Sequence, residues 1–273
     1  MGFLTDLVGT IRRELDERPL PLESLEEAAR SRPPARSLRD ALRRASVPAV
    51  IAEVKRASPS AGAIDAGADT AALARAYETG GAAAISVLTE PRHFGGSLAD
   101  LSMVRAAAGI PVLRKDFLID PDQLVEARAA GADSVLLIAA CLDDKLLDRM
   151  LTGARALGME PLLETHSDED VERALATDAE IVGINARDLE TLEVDVPAAL
   201  GRLGSIPPGR IAVLESGIAS RADVTAAVAA GAWAILVGEA LKRAADPAAA
   251  IAGLLREPEP AARRPDRDEE EIA

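Results

Sequence analysis

The feature that most constrains the fold of this chain is a unit that recurs along it. A helical segment is followed by Gly or Gly-Ala, then by a short aliphatic run and a polar residue. Glycine ends a helix well because it adopts the left-handed conformation without a Cβ clash. With a first run near the start there are eight aliphatic segments, at residues 49–55, 83–88, 111–116, 133–138, 159–164, 181–185, 211–215 and 233–238.

Helical patterns separate these runs, as at 70–79, 122–130, 143–157 and 221–230. Strands alternating with helices of this size indicate βαβ units and a parallel sheet. Eight units predict an α/β fold of the (β/α)8 TIM-barrel type, because eight strands close a cylinder that side chains fill. The alternative is an open doubly wound sheet, which favours G-x-G-x-x-G after its first strand. Residues 56–60 read RASPS instead, so we predict the barrel.

The pattern divides the chain into three parts. Residues 1–46 are predicted to be an N-terminal helical extension that covers one of the two mouths of the barrel, and 47–256 form the barrel. Residues 257–273 are rich in Pro, Arg, Asp and Glu, so we expect a disordered acidic tail. The extension is predicted from apolar residues at helical spacing, namely Phe3, Leu4, Leu7, Val8, Ile11, Leu15, Leu38, Leu42 and Ala45.

Composition narrows the classes of function. The net charge is −14 and aromatic residues make up 2%, which disfavours a nucleic-acid partner. One cysteine and two histidines exclude a disulfide framework and are too few for a histidine metal site. No run approaches the ~18 apolar residues of a membrane span. We therefore expect a cytoplasmic protein, a monomer or weak homo-oligomer, with no metal and no membrane partner.

Polar side chains end the aliphatic runs, where parallel barrels place their active sites. Along the first strand, Ile51, Glu53 and Lys55 share one face, and a buried strand has no structural need for two charges there. The complete set is Glu53, Lys55, Lys115, Glu164, Asn185 and Glu215. Three carboxylates, two ammonium groups and an amide in one mouth suit general acid–base catalysis.

A phosphate site is predicted next to this set. Gly217 lies just after the seventh run and Gly238 ends the eighth, where we expect helices to begin. Main-chain N–H groups at a helix start bind phosphate. Cys141 is interpreted as a small buried apolar residue. His93 and His166 are predicted to lie in loops, either facing solvent or supporting the site.

These residues resemble the indole-3-glycerol-phosphate synthases, the barrel enzymes of tryptophan biosynthesis. The motifs that carry the resemblance are IAEVKRASPS at 51–60, TEP at 89–91, FGGS at 94–97, LRKDF at 113–117, LETH at 163–166, GINARDL at 183–189 and ESGI at 215–218. They span about residues 50–240. The sixth motif departs from the family, which usually has a second asparagine where this chain has Ala186.

The resemblance implies a carboxy-lyase that acts on 1-(2-carboxyphenylamino)-1-deoxyribulose 5-phosphate. It closes the indole ring and releases carbon dioxide and water, without a metal or an organic cofactor. Lys115 is then the acid that protonates the ketone, and Lys55 neutralises an anionic group or acts in dehydration. Which lysine acts at which step stays open. Glu164 is the implied base, with Glu53 as its partner or as a second base.

The resemblance also implies binding roles. Asn185 and Glu215 orient the lysines and bind sugar hydroxyls, Arg187 meets the substrate carboxylate, and Phe94 and Phe117 pack on its ring. The phosphate is surrounded by Ser58, Ser216, Gly217, Gly238 and Glu239. Alternative functions are a sugar-phosphate isomerase, a Schiff-base aldolase, or an inactive barrel that serves as a binding scaffold.

Overall fold

The computed structural model describes residues 2–58, 62–63 and 69–256, and its centre is a closed barrel of eight parallel strands. The strands are β1 (Ala49–Val54), β2 (Ala84–Leu88), β3 (Val112–Lys115), β4 (Ser134–Ile138), β5 (Glu160–Thr165), β6 (Ile181–Asn185), β7 (Ile211–Glu215) and β8 (Ala234–Val237). Each pairs with its neighbours in sequence order, and β1 closes the barrel by pairing with both β2 and β8. The predicted (β/α)8 barrel is confirmed.

Helices surround the strands. They are α4 (Thr70–Thr79), α5 (Leu98–Ala107), α6 (Asp122–Ala130), α7 (Asp144–Ala156), α8 (Asp168–Ala176), α9 (Val196–Leu203), α10 (Arg221–Ala229), α11 (Glu239–Lys242) and α12 (Pro247–Leu255). Local sequence sets several of their starts. Ser167 and Ser220 each accept a hydrogen bond from the third residue of the helix that follows, and an Asp there accepts in return. The predicted helical patterns thus lie between the strands.

The strands are buried on both faces, as a parallel barrel requires. Val50, Ala52 and Val54 of β1 belong to the core between strands and helices. Ile51 belongs to the second core, which fills the barrel interior with residues such as Leu162. The alternation read from the sequence therefore directs Glu53 toward the inside of the barrel.

The N-terminal extension consists of α1 (Phe3–Glu17), α2 (Leu22–Ser31) and α3 (Leu38–Arg44), and it reaches both ends of the barrel. The main-chain N–H of Leu4 in α1 donates to Leu189 O, 3.1 Å away, in the loop after β6. At the opposite end, the indole N–H of Trp233 donates to Leu42 O of α3 at 3.0 Å. The sequence predicted a cover for one mouth, and the described helices contact both.

Helix α2 connects these two ends along the outer wall. It packs against α6, where the Arg32 guanidinium donates to Ala129 O at 2.8 Å. The predicted acidic tail, 257–273, lies outside the described residues. Among the helices that the structure describes, none is long and apolar enough to cross a membrane.

Candidate active site

A cavity of 470 Å³ opens at the carboxyl ends of the strands. Its polar wall contains all six residues that the sequence predicted as catalytic: Glu53, Lys55, Lys115, Glu164, Asn185 and Glu215. Leu136 and Ile138 of β4 and Leu236 of β8 contribute apolar surface from the barrel interior. Charged groups in such a cavity are only partly solvated, which strengthens the interactions between them.

The ammonium group of Lys115 is held between two carboxylates at the end of β3. Its Nζ donates to Glu164 Oε2 at 2.8 Å and to Glu215 Oε2 at 2.8 Å. Both glutamates are 1% exposed, whereas the lysine side chain is 14% exposed. Because β3, β5 and β7 point toward the same mouth, three residues that are far apart in sequence form one ion-pair network.

The carboxylate of Glu164 has a second donor on β6. Asn185 Nδ2 donates to Glu164 Oε1 at 3.1 Å. The Asn185 carbonyl in turn accepts from the Ser216 hydroxyl at 2.8 Å and from the Arg187 main-chain N–H at 3.0 Å. These three hydrogen bonds fix the plane of the Asn185 side-chain amide, and the amide in turn orients the Glu164 carboxylate.

Glu53 and Lys55 form a separate ion pair at the end of β1, with Lys55 Nζ 2.7 Å from Glu53 Oε1. Two glycines leave room for the carboxylates of Glu53 and Glu215. A Cβ on Gly238 would lie 2.3 Å from Glu53 Oε1, and one on Gly183 would lie 2.3 Å from Glu215 Oε1. A Cβ at either position would therefore force the carboxylate to move.

Burial and mutual charge shift the pKa values in the network. Burial opposes the charge on Lys115, but Glu164 and Glu215 outweigh burial and raise the pKa of the lysine. Burial would also raise the pKa of Glu164, yet Lys115 and then His166 hold it below its ordinary value. Burial raises the pKa of Glu215, Lys115 opposes this, and repulsion by Glu164 adds to it. Lys115 and Glu164 therefore stay ionised, and Glu215 is the easier carboxyl to protonate.

The loops after β7 and β8 form one side of the cavity. Ser216 and Gly217 have consecutive positive φ values, 67° and 77°, and both line the cavity. Helix α10 begins only at Arg221, so Gly217 lies in a turn and not at a helix start as the sequence suggested. Gly238 does directly precede the short helix α11. The Ser216 hydroxyl donates to Asn185, so this serine side chain faces the ion-pair network of Lys115 and Glu164.

Cations gather on the same side. Arg243 lines the cavity next to Glu239, to which its guanidinium donates. Partial burial and the nearby Lys55 ammonium lower the pKa of Lys242. Lys55, Lys242 and Arg243 thus place positive charge around the loops where the sequence predicted a phosphate. The side chain of Ser58 lies outside the described part of the structure.

Two aromatic rings and an arginine form the rest of the predicted binding set. Phe94 and Phe117 line the cavity with ring centroids 6.3 Å apart. Glu90 fixes the loop that carries Phe94, because its carboxylate accepts the main-chain N–H groups of residues 92, 93 and 94. Arg187 also lines the cavity, and one of its guanidinium nitrogens donates to Leu192 O at 2.8 Å.

Comparison with known proteins identifies the family. The profile described as "Indole-3-glycerol phosphate synthase" matches residues 5–254. A protein of that name from Mycolicibacterium smegmatis is 47% identical over 254 residues, covering 92% of this chain and 93% of the relative. Another from Beutenbergia cavernae is 48% identical, with 93% and 95% covered. The chain belongs to the indole-3-glycerol phosphate synthase family.

An indole-3-glycerol phosphate synthase is a carboxy-lyase of tryptophan biosynthesis. This chain thus converts 1-(2-carboxyphenylamino)-1-deoxyribulose 5-phosphate to indole-3-glycerol phosphate by ring closure, decarboxylation and dehydration. Among solved structures, a 3-hexulose-6-phosphate synthase superposes with a TM-score of 0.59 at 20% identity. That match covers 76% of this chain and 97% of the other, and it shows the shared barrel fold.

Two residues at or near the cavity were not predicted from the sequence: Arg243, which lines the cavity, and Glu90, which fixes the loop of Phe94. Neither ends an aliphatic run, although TEP at 89–91 was part of the resemblance. His166 is 12% exposed and lies beside Glu164, whereas His93 is exposed and packs edge-on against Phe3. Cys141 is partly buried after β4, and burial raises the pKa of its thiol, which suits a packing residue.

Proposed function

We propose that Lys115 is the general acid of ring closure. The observation that carries this proposal is the position of its ammonium group, 2.8 Å from both Glu164 and Glu215 within the cavity. As the substrate's aromatic carbon attacks the ketone, a carbon–carbon bond forms and the carbonyl oxygen takes a proton from Lys115. A lysine with a raised pKa is protonated when substrate arrives, and for the same reason it is unsuited to a Schiff base.

Decarboxylation then needs no further proton donor. The carbon that attacked carries the carboxylate, and when carbon dioxide leaves, the bonding electrons restore the aromatic ring. The site must tolerate this carboxylate before it leaves. Arg187 at the cavity wall supplies a cation for it, while Phe94 and Phe117 provide an apolar surface against the aromatic ring.

Dehydration needs an acid and a base. We assign the acid to Lys55, which donates a proton to the leaving hydroxyl so that it departs as water, with Glu53 as its ion-pair partner. Glu164 accepts the proton from the neighbouring carbon, and the double bond of the indole forms. Asn185 and Glu215 orient Glu164 and Lys115 throughout. Each positioned group of this kind contributes about 10²–10⁴-fold.

The phosphate is assigned to the loops after β7 and β8. Gly217, Gly238 and Glu239 offer main-chain N–H groups there, and Ser216 adds a turn with positive φ. The charges of Lys55 and Arg243 support this assignment, because a phosphate dianion relieves repulsion between neighbouring cations. The substrate would then extend from this side to the two phenylalanines after β2 and β3.

The roles of Lys115 and Glu164 are tested with Lys115→Ala and Glu164→Gln. Indole formation is followed by fluorescence with the anilino-ribulose phosphate as substrate. We expect kcat to fall by at least ~10²-fold in each variant, with a much smaller change in KM. Lys145→Ala is the matched control, because Lys145 is exposed on α7. Undiminished turnover in either variant would remove that residue from the mechanism.

We further propose that the protein works in the cytoplasm as a monomer or a weak homo-oligomer. All six catalytic side chains and the cavity belong to a single chain, so the chemistry requires no second copy. Size-exclusion chromatography with light scattering measures the mass in solution. Activity that falls on dilution in step with dissociation of a larger species would refute this proposal.

A further inference from the structure

The ring of His166 is a buried titratable group that the proposed mechanism does not use. His166 directly follows β5, two residues after Glu164, and its side chain is 12% exposed. Its Nε2 lies 3.2 Å from Glu164 Oε1. Neither ring nitrogen has a hydrogen bond to the described residues in this arrangement. The separation from Glu164 is nevertheless within hydrogen-bond distance, and active-site hydrogen bonds are often poorly aligned before substrate binds.

Glu164 is buried and ionised, so it needs positive neighbours. It is 1% exposed, and a carboxylate at such a position is costly unless cations or hydrogen-bond donors surround it. Lys115 supplies one cation at Glu164 Oε2, and an imidazolium at His166 would supply a second beside Oε1.

The surroundings of His166 favour its protonated form. The acidic groups that act on it are Glu164 on β5, Glu215 on β7, Asp170 on α8 and Asp188 after β6. Burial opposes the positive charge, but the contact with Glu164 and these carboxylates raise the pKa of His166. Asp170 is itself 3.7 Å from the Arg173 guanidinium, so Glu164 is the principal partner.

We propose that His166 is a positioning residue that pairs as an imidazolium with Glu164 Oε1 and keeps this carboxylate ionised and oriented. Lys115 and Asn185 then hold one side of Glu164 each, and His166 completes the set of donors. After Glu164 has accepted a proton during dehydration, the imidazolium next to it favours release of that proton to solvent, because the positive charge stabilises the ionised carboxylate. The catalytic part of this inference rests on the proposed role of Glu164 as a base.

Histidine-selective NMR tests the pairing directly, because the chain has only two histidines. His166→Gln removes one of the two ring signals and so assigns both. We expect the His166 ring to titrate above the ordinary pKa of a histidine, and we expect this pKa to fall in Glu164→Gln, because an opposite charge beside the ring is lost. A His166 titration that is the same in wild type and in Glu164→Gln would overturn the proposal.

Kinetics test the consequence for catalysis. His166→Ala should lower kcat by at least ~10-fold with little change in KM, and move the acid limb of kcat to higher pH, because Glu164 loses a positive neighbour. In His166→Gln the amide keeps a donor, so part of kcat should return while the shifted limb remains. His93→Gln is the matched control at an exposed histidine.

The two proposals fail in different ways. If Glu164→Gln retains full turnover, Glu164 is not the base, and the NMR titration still decides whether His166 pairs with it. If Glu164→Gln is inactive while His166→Ala and His166→Gln show the wild-type kcat and acid limb, the positioning role of His166 is refuted. The NMR measurement on Glu164→Gln needs no histidine variant beyond the one used for assignment.

Discussion

Gly183→Ala tests how the barrel makes room for the Glu215 carboxylate at its mouth. Gly183 lies in β6, and a Cβ there would stand 2.3 Å from Glu215 Oε1 and 3.4 Å from Leu162 Cδ1. The first distance is far inside van der Waals contact, so the carboxylate must move. Glu215 is 1% exposed and its Oε2 accepts a hydrogen bond from Lys115, so this movement weakens the hydrogen bond to the ammonium group.

The size of the effect follows from the contact that is lost. A hydrogen bond to a charged group contributes about 1.5–3 kcal/mol. If this contribution is lost only in the transition state, turnover falls about 10- to 150-fold, because about 1.4 kcal/mol corresponds to a factor of ten. Stability should change little, since the atom displaced is the end of a side chain. Alanine in a strand also gains about 0.5–1 kcal/mol over glycine.

The assay is steady-state indole formation, combined with thermal unfolding of the same samples. Gly201→Ala is the control, because Gly201 lies in α9 with no atom within 4 Å of a new Cβ. We expect wild-type kcat for Gly201→Ala and a Tm within about 4 °C of wild type for both variants. Wild-type turnover in Gly183→Ala would refute the argument that Glu215 must hold Lys115 from this position.

Three further predictions concern stability and binding. Leu42 is fully buried at the end of the barrel opposite the cavity. Leu42→Ala should lower the free energy of unfolding in urea by about 2–5 kcal/mol and leave kcat unchanged while the enzyme is folded. A loss of turnover in the folded variant would contradict this. Arg243→Ala should raise KM about 3- to 10-fold and leave kcat unchanged, because this exposed guanidinium attracts the bound phosphate equally in the ground state and the transition state. A KM equal to that of the wild type would exclude a role of Arg243 in phosphate binding. Burial raises the pKa of Glu215 from 4.5 to about 8, so its contribution to stability is complete below pH 4.5 and is lost as the pH rises toward 8. Glu215→Gln should therefore have a flatter dependence of Tm on pH over this window, and equal slopes in both proteins would refute the shift.

Much of the architecture could be predicted because it is encoded locally. A glycine before an aliphatic run marks a helix end and a strand start, and eight such strands leave few folds to choose from. The alternation in β1 also predicted that Glu53 faces the barrel interior. Helix α2 was not anticipated, since its outer-wall contact with α6 comes from residues about a hundred positions apart, such as Arg32 and Ala129.

The contacts within the site could not be predicted in the same way. From sequence, Ser216 was an implied phosphate residue, and only the structure brings its hydroxyl to Asn185. The glycine after β7 was expected at a helix start, but the chain makes a turn there first and the helix begins four residues later. Turn geometry of this kind depends on the neighbours against which the loop packs.

The sequence by itself determined the barrel, the identity of the six polar residues at its mouth and the family to which they point. These follow from periodicity and residue type, which act over a few neighbouring positions. Only the tertiary structure decided that Lys115 is shared between Glu164 and Glu215, and that His166 lies beside this group. Such partners lie on different strands, and their distances are set by barrel closure, which no local pattern records.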